Sequence, residues 1–264
     1  GRMTMQRSLL CVALLALVAL PLAWAGPDYI GAGKCKMCHK IEYQSWEASK
    51  HARAFESLKG DEQSQPACLK CHAVAGNAEM PGVQCEACHG PSLAHIKAKK
   101  KAEVKPQVVF GENANVSAGK QNEMCLSCHV SHEGMGWLGS AHENADVTCA
   151  SCHNPHQRTE FERQLINDPT DNVASCGNGC HDTQATDLEA HLIAQNIPLP
   201  TNKAPIALCT DCHMTKTAKT GAGNPGLEIA GVQYWTNDIT SHLFKVPDRS
   251  LANAPTSMPV PYTN

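Results

Sequence analysis

Apolar residues gather in one place along this chain and are thin elsewhere. Residues 9–22 form an almost unbroken apolar run, followed at once by Ala23-Trp24-Ala25. The run is short for a spanning helix, Arg2 and Arg7 give it a basic start, and small residues close it. It therefore predicts a secretory signal peptide over residues 1–25 rather than an anchor. Cys11 lies inside the run and is expected to leave with it. Further on, helical spacing is clearest over residues 43–58 and over 187–195, where Leu188, His191, Leu192 and Gln195 share a face. Long stretches of period-two alternation are absent, and no second apolar run is long enough to span a membrane. The pattern predicts a mainly α chain with little regular secondary structure, made of short helices joined by loops.

Composition explains why the pattern is so weak. The chain of 264 residues has only four each of Phe, Tyr and Trp, against 15 Cys and 14 His. Cysteine at this level points to disulfides, metal or a covalent cofactor. From Gly26 onward there is too little apolar side chain for an ordinary core, so something other than polypeptide must fill the interior. The formal charge is −3, and loss of Arg2 and Arg7 makes it more negative still. Nucleic acid is therefore not an expected partner.

The cysteines past residue 25 fall without remainder into seven pairs, each followed at once by His. Six are C-x-x-C-H: Cys35/Cys38/His39, Cys68/Cys71/His72, Cys85/Cys88/His89, Cys125/Cys128/His129, Cys149/Cys152/His153 and Cys209/Cys212/His213. The seventh, Cys176/Cys180/His181, has one extra residue, in Cys-Gly-Asn-Gly-Cys-His. Two intervening residues make about one helical turn, so both sulfurs reach one porphyrin edge and form thioethers with its vinyl groups. The next residue then aims its imidazole at the iron. In the expanded motif the two glycines are expected to let the backbone bulge and absorb the extra residue. Disulfides do not need His after every second Cys, and zinc sites separate their Cys pairs from their His ligands. The expectation is seven covalently bound haem c groups, with short helices and loops wrapped around a chain of stacked haems.

Seven histidines remain: His51, His95, His132, His142, His156, His191 and His242. Their number equals the number of expected irons, so each is a candidate sixth ligand, and bis-His haems are closed, low-spin centres suited to one-electron transfer. His51 and His142 stand in matching frames, Trp46-x-x-Ser49-x-His51 and Trp137-x-x-Ser140-x-His142. His132 and His156 follow a motif His by three residues, which sends their rings towards a neighbouring iron. For His191 core packing is the competing reading. Met80, Met135 and Met214 also lie near motifs, where Met usually serves as filler. Which His serves which iron is left open by the sequence.

The motifs divide the chain into a trihaem segment (26–104), a linker (105–119), two dihaem segments (120–165 and 166–246) and a proline-rich extended tail (247–264). Lys97, Lys99, Lys100, Lys101 and Lys105 form the strongest basic patch. It reads as a solvated helix end or as a dock for an acidic redox partner.

The first segment resembles the tetrahaem electron-carrier cytochromes of ammonia oxidisers. The likeness rests on Tyr29-Ile30-Gly31 before Cys35, on Trp46, Ser49, His51-Ala52 and Phe55, and on residues 82–91 (GVQCEACHGP) with His95. It implies distal-ligand roles for His51 and His95. Residues 137–142 (WLGSAH), leading into 149–156 (CASCHNPH), are similar to the doubled C-x-x-C-H family, which includes decahaem conduits through outer-membrane porins. That likeness implies ligand roles for His142 and His156. The apolar N-terminal run and a histidine count that leaves no iron open point to an exported, periplasmic or extracellular electron carrier rather than an enzyme, while the wider group that the chain resembles also includes enzymes of nitrogen and sulfur compounds. Donor and acceptor redox proteins, an outer-membrane conduit or an extracellular acceptor would be its partners. Two other readings stay open: an oxidoreductase on a small nitrogen or sulfur compound at one open iron, and a homo-oligomeric, haem-wired filament.

Overall fold

The computed structural model describes residues 28–130, 136–156, 161–197, 208–218, 224–229, 231–244 and 260–261. The expected signal peptide, His132, Met135 and most of the tail lie outside these residues. The described chain is a succession of short helices: α1 (Ala32–Cys35), α2 (Lys40–Glu47), α3 (Pro66–His72), α4 (Cys85–His89), α5 (Leu93–Lys97), α6 (Ala118–Leu126), α7 (Ala141–Asn144), α8 (Asp182–Thr186), α9 (Leu188–Ala194) and α10 (Cys209–His213). Most of the Cys-pair motifs form or end one of these turns. In the first, fourth and fifth motifs the His amide donates to the carbonyl of the first Cys, at 2.9, 3.0 and 2.9 Å. Among the described residues no helix is long and apolar enough to cross a membrane.

The expected helix over 43–58 is broken. It runs as α2 to Glu47, turns, and resumes as a short 3₁₀ helix, Ala54–Ser57. The reason is a backbone docking. Val83 N donates to the His51 carbonyl at 2.9 Å, and Trp46 Nε1 donates to the Val83 carbonyl at 2.7 Å. Gly82 has φ +83°, and a Cβ there would come within 2.4 Å of the Ala52 carbonyl oxygen. A continuous helix would bury the carbonyls this contact needs. By contrast, α9 matches its predicted span, with Asp187 capping it through a 2.9 Å bond from Ala190 N.

Two small antiparallel sheets were not expected. One pairs β1 (Lys216–Ala218) with β4 (Ile239–Thr240). The other is a hairpin of β2 (Asn224–Ile229) and β3 (Val232–Thr236), with β5 (Val260–Pro261) along the far edge of β3. The hairpin turns at Gly231, φ +79°. Its alternation, Leu-Glu-Ile before the turn and Val-Gln-Tyr after it, is too short to register as a long strand.

The polypeptide core is small. Its one buried apolar cluster among the described residues joins Leu58, Leu69 and Ala73, with Phe55 and Cys68 against it. Much of the holding is polar instead. Glu86, only 2 % exposed, accepts from Ile30 N and Gly31 N through Oε2 and from Ser92 N through Oε1, each at 2.8 Å. One carboxylate thus ties the entry to the first motif, the third motif and the start of α5. Glu86→Ala leaves three backbone donors without an acceptor. The expected loss is about 3 kcal/mol or more of stability, read as a lower melting temperature of the haem-loaded protein, with Glu86→Gln intermediate.

Candidate functional site

The motif histidines and the remaining histidines meet in pairs. His39 faces His95 with ring centres 6.4 Å apart, His51 faces His129 at 6.0 Å, and His89 faces His156 at 5.6 Å. His142 faces His181 at 5.9 Å, His153 faces His242 at 6.2 Å, and His191 faces His213 at 6.4 Å. Every pair takes one ring from a motif and one from elsewhere in the chain. Five of the six pairs are tilted or edge-on and only His89–His156 is near-parallel, so ring stacking does not account for the set. The spacing suits a metal between them, because two bonds of about 2 Å from imidazole nitrogens put the ring centres roughly 6 Å apart. The pairs cross the segments expected from sequence: His51–His129 and His89–His156 join the first to the second, and His142–His181 and His153–His242 join the second to the third.

The hydrogen bonds leave the right nitrogen free. Nδ1 of His72 donates to the Ala54 carbonyl at 2.7 Å, that of His89 to Val108 at 2.8 Å, that of His95 to Val104 at 2.6 Å and that of His153 to Arg163 at 2.9 Å. A carbonyl only accepts, so Nδ1 carries the proton and the Nε2 lone pair is available to a metal. Burial holds His51, His89, His142 and His156 below the usual imidazole range, with the facing imidazole adding to this for His51, His142 and His156. Neutral rings are what ligation requires. The expected linker over 105–119 is part of this arrangement, since Val108 is buried and its carbonyl holds His89.

Local structure explains how the distal rings are aimed. Ser140 Oγ caps α7 by accepting from Glu143 N at 3.1 Å, and α7 carries His142. Ser49 Oγ accepts from Ala52 N at 3.3 Å in the matching frame before His51. The buried Trp137 ring meets Phe244 edge-on at 6.1 Å, and Phe244 packs 4.0 Å from His142. The β1–β4 ribbon delivers His242, with Ser241 N bonded to the Thr215 carbonyl at 3.0 Å. Met80 uses its backbone in a loop, accepting from Val74 N, and Met214 follows α10.

The expanded motif solves its spacing by a π turn. His181 N donates to the Cys176 carbonyl at 3.1 Å, an i→i+5 bond. The bulge is taken up at Asn178 (φ +43°) and Gly179 (φ +84°). Gly177 plays a different part from the one expected. It is buried, and a Cβ there would press on Asp182 Oδ1 at 3.3 Å and the Ala185 Cβ at 3.4 Å.

The fourteen motif thiols are free of disulfides, and thiols of different motifs come together. Cys35 is pushed up first by its hydrogen bond with Cys85, which is lowered by the same bond; Cys125 and Cys149 behave alike. Burial and Cys128 raise Cys71, and burial and Cys176 push Cys209 up to about 11. Cys128 also acts on Cys88, and Cys176 and Cys180 act on Cys152. The motifs therefore adjoin in the order first, third, fourth, fifth, expanded, last, with the second beside the fourth. Among the described residues no three His, Cys, Asp or Glu side chains converge as they would on a bare metal ion. The sulfurs and paired rings fit a wide, flat group gripped at its edge and on both faces.

The shelter of these thiols is uneven. Cys38, Cys152 and Cys180, each the second thiol of its motif, are exposed, whereas Cys68, Cys71, Cys88, Cys128 and Cys212 are half-buried. Cys38 is one of the exposed thiols. The turn of its motif is formed, with Cys38 N donating to the Cys35 carbonyl at 3.1 Å. However, α1 ends at Cys35, and Lys36, Met37 and His39 around Cys38 are exposed as well. The first motif stands at the end of the series, and it is Cys35, not Cys38, that meets the thiol of the next motif. By its place in the motif Cys38 stays a candidate thioether, at a solvent-facing edge of the group.

The profile of cytochrome c554 and c-prime matches residues 34–90, and that of the NrfB-like c-type cytochromes matches residues 85–179. The chain is a multihaem c-type cytochrome. Over 185 residues it is 33 % identical to the multiheme cytochrome MtrA of Shewanella baltica, covering 69 % of this chain and 45 % of that protein. It is 28 % identical to cytochrome c-554 of Nitrosomonas europaea over 170 residues, 50 % of this chain and 70 % of the relative. It is 31 % identical to the c-type protein NrfB of Escherichia coli over 136 residues, 46 % and 66 % respectively. The chain thus spans under half the length of MtrA. A c-type cytochrome binds haem c covalently, and the motif cysteines are the candidates for that attachment.

Sequence reasoning missed the residues that join one motif of this cytochrome to the next. Buried Asn122, three residues before Cys125, accepts from Cys149 N at 2.8 Å and donates to the Val147 carbonyl at 3.0 Å. Asn172 accepts from Cys209 N at 2.8 Å, and Gln84 from Ala32 N at 2.8 Å. In each case the amide links two motifs whose thiols touch. The recurrence of Asn or Gln shortly before Cys was the available signal. Asn122→Leu strands two buried backbone groups, with an expected cost of about 2–4 kcal/mol. Denaturant unfolding of the haem-loaded protein followed by its visible absorption measures this.

Proposed function

We propose that this cytochrome is an exported heptahaem electron carrier, working between redox partners in anaerobic or extracellular respiration, rather than an enzyme with an open iron. The observation that carries the reading is the pairing of six motif histidines with six others at metal-bridging distance. Bound haem supplies a one-electron ferric/ferrous couple. The seven Cys pairs would anchor it, the motif histidines would ligate its iron, and His95, His51, His156, His242, His142 and His191 would supply a second ligand to six of the seven. By elimination His132 falls to His72.

With two imidazoles on each iron, a substrate has no position to enter, which favours carriage over catalysis. The carbonyl bonds to Nδ1 strengthen the imidazoles as donors and stabilise the ferric state, favouring low potentials. The order in which the motifs adjoin gives a continuous path through the chain, with the first and last motifs at its ends. MtrA, c-554 and NrfB support the carrier reading as relatives. The respiratory setting and the export reading rest on the resemblance and on the apolar N-terminal run.

Reductive titration of the purified protein is expected to take up seven electrons per chain, and mass spectrometry to find seven haem additions. His156→Ala and His132→Ala are each expected to convert one of the seven irons to a high-spin form that binds carbon monoxide when reduced. Carbon monoxide binding by the unaltered protein would instead favour the oxidoreductase. An unchanged spectrum in His132→Ala would remove that residue from the ligand set.

A further inference from the structure

The lysines of this acidic chain are not spread evenly. Eight of its sixteen, Lys34, Lys36, Lys40, Lys97, Lys99, Lys100, Lys101 and Lys105, lie within ten residues of His39 or His95. All eight are exposed. The two stretches that carry them, 28–47 and 93–105, hold only four carboxylates: Asp28, Glu42, Glu47 and Glu103. Of these, Glu103 is paired with Lys100 at 3.0 Å and Glu47 accepts from Tyr43 at 3.2 Å.

Sequence alone places the two stretches far apart. The structure joins them, because His39 and His95 face each other at 6.4 Å. The basic loop is also fastened to the site, since the Val104 carbonyl between Lys101 and Lys105 accepts from His95 Nδ1 at 2.6 Å. The first motif stands at one end of the series of adjoining motifs. The opposite end has the reverse charge: residues 166–197 and 208–216 carry Asp168, Asp171, Asp182, Asp187, Glu189 and Asp211 against Lys216 alone.

We propose that the lysine collar around His39 and His95 is the docking port for a redox protein with an acidic face around its own centre, and that electrons cross there. This deepens the carrier reading and rests on it. The collar is attractive at one end of a chain that is repulsive to anions overall, so it orients an acidic partner towards the first motif and speeds encounter. One electron would pass between the partner's centre and the group that His39 and His95 would hold, without transfer of a proton or an atom. The acidic opposite end selects against the same partner and leaves it a single landing place.

Flavodoxin hydroquinone, a small acidic one-electron donor, serves as the probe with the haem-loaded protein. Zero-length carbodiimide coupling followed by mass spectrometry is expected to join flavodoxin carboxylates to Lys97–Lys105 and Lys34–Lys40, with coupling lost at high salt. Stopped-flow reduction should slow as ionic strength rises. Lys99→Glu with Lys101→Glu should lower the low-salt rate about tenfold and abolish the coupling. The equal charge change Lys59→Glu with Lys120→Glu should leave both nearly unchanged. Unaltered haem content and low-spin spectra in both variants separate a failure of the port from a failure of the carrier reading. Coupling spread over Lys50, Lys59, Lys70 and Lys120, or equal rates in the two variants, would overturn the port. So would self-coupling of the cytochrome through Asp182–Asp211, which would make a second copy the occupant.

Discussion

The structure depends on one geometric constraint: two imidazoles from distant parts of the chain must face each other across a gap of about 6 Å. His51 and His129, or His153 and His242, are brought to that separation although long stretches of chain lie between them. Each such pair closes a large loop, which costs chain entropy that the few buried apolar residues do not offset. A metal-centred group held by these rings and the motif thiols would supply the missing free energy, so that cofactor binding and folding would become one process. Helices of four to nine residues suffice because each has only to aim a ring or a pair of sulfurs.

Within that constraint the polypeptide contributes precise polar contacts rather than bulk. Backbone carbonyls at Ala54, Val104, Val108 and Arg163 fix ring tautomer and direction. Glu86, Asn122, Asn172 and Gln84 join one motif to the next through backbone amides. These bonds set the spacing between neighbouring motifs. The uneven lysines and carboxylates then distinguish the two ends of the series.

Much of this was legible in the sequence. Seven Cys pairs with His, and an equal number of spare histidines, declare the cofactor class because the chemistry demands those residue types at that spacing. The helix carrying His191 was readable from the face it shares with Leu188, Leu192 and Gln195. Pairing was not readable, since a ligand His is specified by where its loop lands and not by its distance from a motif. Nor was the exposure of Cys38, Cys152 and Cys180. The break after Glu47 escaped because it is imposed by Gly82 and Val83, some thirty residues on. The π turn was half visible: the glycines marked a bulge, but Asn178 and Gly179 take the positive φ while Gly177 supplies close packing.

The most direct test of the central claim is an iron-edge anomalous scattering map from crystals of the haem-loaded protein. The account predicts seven iron peaks, six of them midway between the paired rings of His39–His95, His51–His129, His89–His156, His142–His181, His153–His242 and His191–His213, and the seventh against His72. An iron peak bounded by a motif histidine on one side and by open solvent on the other, in any of those six pairs, would contradict it.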